Sequence, residues 1–133
     1  MPLVEAAKRA QQHAYCPYSG FAVGAALLVG DGTVVTGCNM ENRSYGLTIC
    51  AERTAVAAAN AAGHRDLQAL VVVAPASPAA RPCGQCLDTL AEFNAHIPIL
   101  LVAEDGSREE LLLSDLLPQP FSFPVDRRRG REV

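Results

Sequence analysis

The sequence predicts an α/β domain with three layers, α-β-α, built around a mixed sheet of about five strands. Three observations support this prediction. Apolar, β-prone runs alternate along the chain with alanine- and leucine-rich runs of helical length. Two early β-prone runs are joined by a short glycine-containing turn, whereas two later ones flank a predicted helix. The first connection gives an antiparallel pair and the second a parallel crossover, so the sheet is expected to be mixed.

The first third of the chain predicts one helix followed by a hairpin. Residues 2–14 begin with Pro2, which favours a first helical turn, and continue with apolar residues at helical spacing. Residues 23–29 and 33–38 are β-prone, and the Gly-Asp-Gly turn between them is typical of a tight hairpin. We therefore expect an antiparallel pair at the start of the sheet.

The rest of the chain predicts helices and strands in alternation. Residues 50–62 are rich in alanine and precede a glycine, which predicts a helix with a glycine stop. Residues 67–74 are apolar without alternation, as expected of a strand covered on both faces. Residues 83–93 predict a helix and residues 97–103 a further strand, parallel to the previous one. Residues 111–117 fit either a last strand with a helical turn or one short helix.

Composition favours one domain and excludes several functional classes. Half of the 133 residues are apolar, so we expect one domain over residues 1–126 and a basic tail of four arginines over 127–133. The net charge is −3, which disfavours a nucleic-acid partner. No apolar run approaches the roughly 20 residues of a membrane span and no leader opens the chain, so we expect a cytoplasmic protein without a membrane partner. The five cysteines indicate reduced thiols or metal ligands.

Three cysteines, Cys50, Cys83 and Cys86, are the candidate metal ligands. They lie at the predicted starts of two helices, where free N–H groups and a partial positive charge favour the thiolate. Three protein ligands leave a fourth position open, which is typical of a catalytic zinc site, whereas a structural site normally uses four. The expected cofactor is therefore Zn²⁺.

Glu52 and Arg53 are the expected partners of this metal. An activated water needs a base for its proton and the leaving group later needs an acid, and Glu52 can serve as both. Glu52 lies two residues after Cys50, so it reaches the same metal only if Cys50 stands at the helix boundary. Arg53 lies on the same face as Cys50, and its guanidinium can withdraw charge from the thiolate and so tune the zinc site.

Each motif alone has a more ordinary interpretation. A Cys-x-x-Cys pair is more often a redox pair or half of a structural zinc site. The tripeptide Cys-Ala-Glu on its own indicates no particular function. Together, with each motif opening a predicted helix and Pro82 preceding the pair, they match the signature of zinc-dependent deaminases. A redox pair would also leave Glu52 unexplained.

Further motifs stand in a characteristic order: Phe21-Ala22-Val23-Gly24-Ala25-Ala26-Leu27, Gly37-Cys38-Asn39-Met40-Glu41-Asn42, Tyr45-Gly46-Leu47-Thr48-Ile49-Cys50-Ala51-Glu52-Arg53-Thr54-Ala55 and Leu116-Leu117-Pro118. With them, the sequence from about Tyr18 to Phe121 resembles the small, homotetrameric cytidine deaminases. The resemblance implies a cytidine deaminase-like domain that converts cytidine and 2′-deoxycytidine to the uridines with release of ammonia, as in pyrimidine salvage. It implies attack at C4 of the base, with Glu52 relaying protons to N3 and the departing amino group.

The resemblance also implies six residues that contact the nucleoside: Phe21, Asn39, Glu41, Tyr45, Ala51 and Phe121. The asparagine and the glutamate would hold the ribose hydroxyls, the first phenylalanine would pack against the nucleoside, and the alanine would offer backbone contacts to the pyrimidine. The tyrosine and the second phenylalanine would come from neighbouring subunits of a homotetramer. Core packing for Phe21, turn roles for Asn39 and Glu41, and Phe123 in place of Phe121 are the alternatives.

Two other functions fit the same residues. One is deamination of a modified cytosine nucleoside or a nucleoside antibiotic such as blasticidin S, which a substrate panel would separate. The other is a structural zinc or nucleic-acid-binding module, which would release no ammonia and would fill the fourth metal position.

The second motif departs from the family, where it usually reads Ser-Pro-Cys-Gly-x-Cys-Arg-Gln. Arg81 stands in place of the serine, and Leu87 and Asp88 replace the Arg-Gln pair. A carboxylate beside a net-negative metal site needs a neutralising cation. We therefore expect Arg53 to bridge a cysteine sulfur and Asp88, with Arg81 as the substitute partner.

Overall fold

Helices and strands alternate along the chain in the computed structural model, which describes residues 2–122, 125–126 and 131–132. The helices are α1 (Pro2–Gln11), α2 (Ala51–Ala61), α3 (Gly84–Ala91) and α4 (Leu113–Leu116), with a 3₁₀ turn at Tyr45–Leu47. The strands are β1 (Gly24–Val29), β2 (Val34–Cys38), β3 (Leu67–Val73), β4 (Pro98–Val102), β5 (Arg108–Leu112), β6 (Val125–Asp126) and β7 (Arg131–Glu132). Phe123 and most of the predicted tail over 127–133 lie outside the described residues.

The main sheet is mixed and has five strands in the order β2-β1-β3-β4-β5. Strands β1 and β2 form the predicted antiparallel hairpin, and β1 also pairs antiparallel with β3. Strands β3 and β4 run parallel, so the predicted crossover through α3 is confirmed, and β5 returns antiparallel along β4. Strands β6 and β7 form a separate antiparallel pair.

Helices cover the sheet on both faces, which gives the three predicted layers. Val71 and Val73 of β3 pack with α1 on one face. Leu70 and Val72 of the same strand belong to the larger core on the other face, under α2 and α3. The lack of alternation in this strand therefore reflects burial on both sides, as predicted from the sequence.

Boundaries differ from the predicted ones where local chemistry was ambiguous. The first helix ends at Gln11, three residues before the predicted end. The segment predicted as 111–117 is a strand that starts at Arg108, followed by one helical turn. The Asp115 carboxylate accepts a hydrogen bond from the backbone N–H of Leu112 at 3.0 Å, which stabilises the start of that turn.

Gly24 lets α1 approach β1 more closely than any side chain would allow. A Cβ at Gly24 would lie 2.0 Å from the carbonyl oxygen of Ala7 and 2.7 Å from the backbone nitrogen of Gln11. Gly24→Ala is therefore expected to lower the free energy of unfolding by about 1–3 kcal/mol, because backbone atoms have to move. Urea denaturation checks this result, with Gly46→Ala as the control, since a Cβ there meets nothing within 4 Å. Equal midpoints for the two variants would contradict the expectation.

Across the described part of the chain, none of the helices has the length and apolar character required to cross a bilayer.

Candidate active site

Three cysteine sulfurs converge where α2 and α3 begin. Cys50 is the N-cap residue of α2, Cys83 is the N-cap residue of α3, and Cys86 lies buried in the first turn of α3. The Sγ atoms of Cys50 and Cys83 are 3.9 Å apart, and those of Cys83 and Cys86 are 3.5 Å apart. All three ligand atoms lie within 4.8 Å of one another, and no fourth residue joins this group in the described part of the chain.

This spacing fits a zinc ion. Sulfur ligands about 2.3 Å from a tetrahedral zinc ion are about 3.8 Å from one another, close to the two measured distances. The two helix starts lie close together because α2 leads into β3 and α3 leads into β4. These two strands are parallel, and both helices pack over the same face of the sheet. The N-termini of α2 and α3 therefore lie at the same end of the strands.

The electrostatics of the cluster favour a thiolate before any metal arrives. A hydrogen bond from Cys86 is the main cause that lowers the pKa of Cys50 to about 5, and Arg53 contributes through a further hydrogen bond. Cys86, which keeps its proton in that pair, has a pKa raised by the same hydrogen bond and by burial. The pair therefore holds one thiolate, on Cys50, and one thiol, on Cys86. A metal ion that binds the thiolate can displace the proton of the neighbouring thiol.

Glu52 lies one residue inside α2, next to the cysteines. The residue is only 5% exposed, and burial raises the pKa of its carboxyl group. From the sequence, Glu52 was expected to reach the metal only if Cys50 stood at the helix boundary. Cys50 is the N-cap residue of α2, so this condition is met. A buried carboxyl whose pKa is shifted upward can both accept and return a proton, as a general acid and base must.

The guanidinium of Arg53 contacts the cluster but not Asp88. Its Nη2 lies 3.9 Å from Cys50 Sγ and also donates to the carbonyl oxygen of Thr48 at 3.1 Å. The expected bridge to Asp88 is wrong: this carboxylate is exposed and no ion pair links it to either arginine. Arg81 pairs instead with Glu109 on β5. The helix start directs Asp88 outward, two residues past Cys86, so neither arginine needs to neutralise it.

The residues implied to hold the nucleoside lie on the loops beside this cluster. Asn39 is buried, and its amide accepts from the backbone N–H of Val23 at 2.9 Å and donates to the carbonyl oxygen of Phe21 at 2.8 Å. Ala51 is the first residue of α2 and is fully buried, whereas Phe21 is 38% exposed. An exposed aromatic face here argues against pure core packing.

The two residues expected to serve neighbouring subunits are highly exposed. Tyr45 is 78% exposed and Phe121 is 75% exposed. Tyr45 meets Tyr18 edge to face, with 6.2 Å between the ring centroids. Both side chains therefore leave most of their surface accessible to solvent.

Sequence reasoning missed residues that hold the site together. The hydroxyl of Thr54 lies 2.9 Å from the carbonyl oxygen of Cys38 and 2.8 Å from that of Ala51, so its one proton is shared between two acceptors that join the start of α2 to the end of β2. Gly37 permits this approach, since a Cβ there would lie 2.5 Å from the carbonyl oxygen of Ala51. Ser19 donates to the carboxylate of Glu41 at 2.5 Å. Of these residues, only Gly37 and Thr54 stand in motifs that the sequence analysis names, and neither was given a role there.

Comparison with known proteins agrees with this geometry. Residues 2–101 match the family model described as the cytidine and deoxycytidylate deaminase zinc-binding region. Among curated proteins, a cytidine deaminase of Sporosarcina psychrophila is 47% identical over 121 residues, which cover 90% of this chain and 89% of that protein. A cytidine deaminase of Mycobacterium tuberculosis is 45% identical over 125 residues, or 92% of this chain and 91% of that protein.

Solved structures give the same result. The crystal structure of cytidine deaminase from Burkholderia pseudomallei superposes with a TM-score of 0.87 at 45% identity, covering 90% of this chain and 97% of that chain. The family model is a zinc-binding region and spans the whole cysteine cluster, so zinc is the cofactor of this domain, and the cluster of Cys50, Cys83 and Cys86 is compatible with that ion. This chain belongs to the cytidine and deoxycytidylate deaminase family.

Proposed function

We propose that this chain catalyses the zinc-dependent hydrolytic deamination of cytidine and 2′-deoxycytidine to the uridines, with release of ammonia. The observation that carries the proposal is the buried Glu52 carboxyl beside three converging thiols that have no fourth protein ligand among the described residues. A structural zinc module has no use for the open position or for the buried acid. We place the activity in the cytoplasm, within pyrimidine salvage.

Cys50, Cys83 and Cys86 would hold the metal ion. Bound there, zinc supplies Lewis-acid activation of a water molecule at neutral pH. Arg53, at 3.9 Å from Cys50 Sγ, would withdraw electron density from that sulfur and so limit the negative charge of a three-thiolate site. The positive helix ends act in the same direction.

Glu52 would move the protons. Its carboxylate would take a proton from the attacking water and deliver it to N3 of the cytosine ring as the new C–O bond forms at C4. It would then take the hydroxyl proton and pass it to the amino nitrogen, so that the C4–N bond breaks, ammonia leaves and a carbonyl remains. The upward pKa shift from burial suits this cycle, because the group must exist in both protonation states near neutral pH.

Asn39, Glu41 and Phe21 would orient the nucleoside. The amide of Asn39 keeps one N–H hydrogen after its bond to Phe21, and the carboxylate of Glu41 is accessible to solvent. Both can therefore bond a sugar hydroxyl, while the exposed face of Phe21 can pack on the nucleoside. Ala51 would offer its backbone to the pyrimidine.

The decisive experiment is an absorbance assay of cytidine deamination by zinc-loaded protein, combined with measurement of released ammonia. A panel with cytidine, 2′-deoxycytidine, free cytosine and blasticidin S separates the substrate classes. Turnover of the two natural nucleosides well above the others supports the proposal. Zinc-loaded, folded protein that releases no ammonia from either would overturn it.

We also propose a homotetramer in which Tyr45 and Phe121 complete the sites of neighbouring subunits. Their exposure, 78% and 75%, supports this, since such large exposed aromatics commonly mark contact surfaces.

Phe121→Ala is accordingly expected to raise KM for cytidine by roughly threefold to tenfold with a smaller change in kcat, because ring contacts to a bound nucleoside are lost. Steady-state kinetics alongside light scattering checks this. Val34→Ala, which trims an exposed apolar residue on β2, serves as the control and should leave KM unchanged. A wild-type monomer with full activity would contradict the shared site.

A further inference from the structure

The carboxylate of Glu41 is held by the turn that follows α1. The backbone N–H groups of Tyr18 and Ser19 donate to Glu41 Oε1, at 3.0 and 3.1 Å. The hydroxyl of Ser19 donates to the other oxygen, Oε2, at 2.5 Å. Two oxygens of one side chain are therefore fixed by three donors from a single turn.

Ser19 is also bonded on its acceptor side. The backbone N–H of Phe21 donates to Ser19 Oγ at 3.0 Å. A hydroxyl that accepts from one group and donates to another has its proton direction fixed. Ser19 therefore connects the orientation of Glu41 to the backbone of Phe21.

The same hydrogen-bonded chain reaches Asn39. Its Nδ2 donates to the carbonyl oxygen of Phe21 at 2.8 Å, and its Oδ1 accepts from Val23 at 2.9 Å. Glu41, Ser19, Phe21 and Asn39 thus form one continuous network, although they come from two separate loops. Three of these four are the residues proposed above to hold the sugar and the nucleoside.

We propose that Ser19 is a positioning residue for the nucleoside, which sets the Glu41 carboxylate to receive one sugar hydroxyl and holds Phe21 beside it. This inference rests on the proposed function and adds a residue to it. An ionised carboxylate offers about four acceptor positions, and the turn occupies three of them. The position that remains can accept a hydrogen bond from a single hydroxyl donor. A carboxylate whose second oxygen is not fixed would no longer present that position in one direction.

A purely structural role for the Ser19 bond explains less. Both partners are accessible to solvent, where water competes for the bond and screens the charge, so the bond contributes less to the stability of the fold than it would in a buried site. The orientation of the second carboxylate oxygen, by contrast, depends directly on the hydroxyl. Without the hydroxyl, the two backbone N–H groups would still hold Oε1, but Oε2 would lose its only donor from the turn and could rotate about Oε1.

Kinetics in two backgrounds tests the positioning role. Ser19→Ala is expected to lower kcat/KM for cytidine roughly tenfold, mainly through KM, because a hydrogen bond to a charged group is removed. In a Glu41→Ala background most of this loss should disappear, since there is no carboxylate left to orient. Ser19→Thr, which keeps the hydroxyl, should recover most of the wild-type value. The matched control is Ser107→Ala, because Ser107 bonds Asp105 in a remote turn at 2.6 Å.

A second readout does not depend on activity. The hydrogen bond from Ser19 is the main cause that lowers the pKa of Glu41, so NMR titration of the Glu41 carboxyl carbon should show a higher pKa in Ser19→Ala. An unchanged pKa would show that the bond does not form in solution and would overturn the inference. Equal losses of kcat/KM in both backgrounds would overturn the positioning role. Absence of cytidine turnover by the zinc-loaded wild type would instead count against the proposed function, while the titration still decides the bond.

Discussion

Glu52→Gln is expected to lower kcat for cytidine by about three orders of magnitude, and to leave the zinc content and the fold intact. General acid–base catalysis by a placed side chain contributes on the order of 10²–10⁴ in rate, and two proton transfers here use one group. The amide has nearly the same volume, and burial already raises the pKa of the carboxyl, so an uncharged group is tolerated at this position. KM should change much less than kcat.

The measurement compares turnover, zinc per chain and circular dichroism of the same preparation. Glu5→Gln provides the matched control, because Glu5 also lies in the first turn of a helix but is exposed and remote from the cysteines. A Glu52→Gln variant with turnover near that of the wild type would mean that another group moves the protons. Loss of zinc by this variant would mean that Glu52 holds the metal site together instead.

The elements of the fold and the helix-start positions of the cysteines could be predicted because they rest on local chemistry, whereas the convergence of the three cysteines was expected only from the two motifs taken together. Cys50 and Cys83 were placed at helix starts from the residues that follow them, and both are N-caps. The continuous apolar run in β3 indicated burial on both faces, and Leu70 and Val71 are buried on opposite sides of the sheet. Such signals need no knowledge of distant residues.

The ion pairs and the loop network could not be predicted because they depend on which segments meet. Arg81 pairs with Glu109, 28 residues later on β5, and no local sequence pattern predicts that contact. The bond between Ser19 and Glu41 spans 22 residues and requires two loops to meet beside β1 and β2. Arg53 was correctly expected beside Cys50, since side chains three residues apart on a helix lie on the same face. Whether Arg53 also met Asp88 depended on the direction in which α3 points that carboxylate, and the local sequence does not give this direction.

Cys86→Ala is expected to abolish zinc binding and measurable activity, and to lower the thermal midpoint by on the order of 10 °C. Cys86 is buried and its sulfur lies 3.5 Å from that of Cys83, so its removal takes one of three ligands and leaves a cavity. Two remaining thiols cannot retain the metal against water and buffer with comparable affinity. Metal that binds only the folded chain adds to its stability, and this contribution is lost with the ligand.

Chelation separates the metal contribution from the packing contribution. Adding a strong zinc chelator should lower the midpoint of the wild type toward that of Cys86→Ala, and should leave the variant where it is, because the variant has no zinc to lose. Any difference that remains between the chelated proteins measures the lost packing of the Cys86 side chain together with its lost contacts to Cys50 and Cys83. Cys16→Ala is the control, since Cys16 is a partly buried thiol outside the cluster and should keep full zinc, activity and chelator response. If Cys86→Ala retained one zinc per chain, or if the chelator lowered its midpoint as much as that of the wild type, Cys86 would not be a ligand, and the metal would have to be held by Cys50, Cys83 and a group outside this cluster.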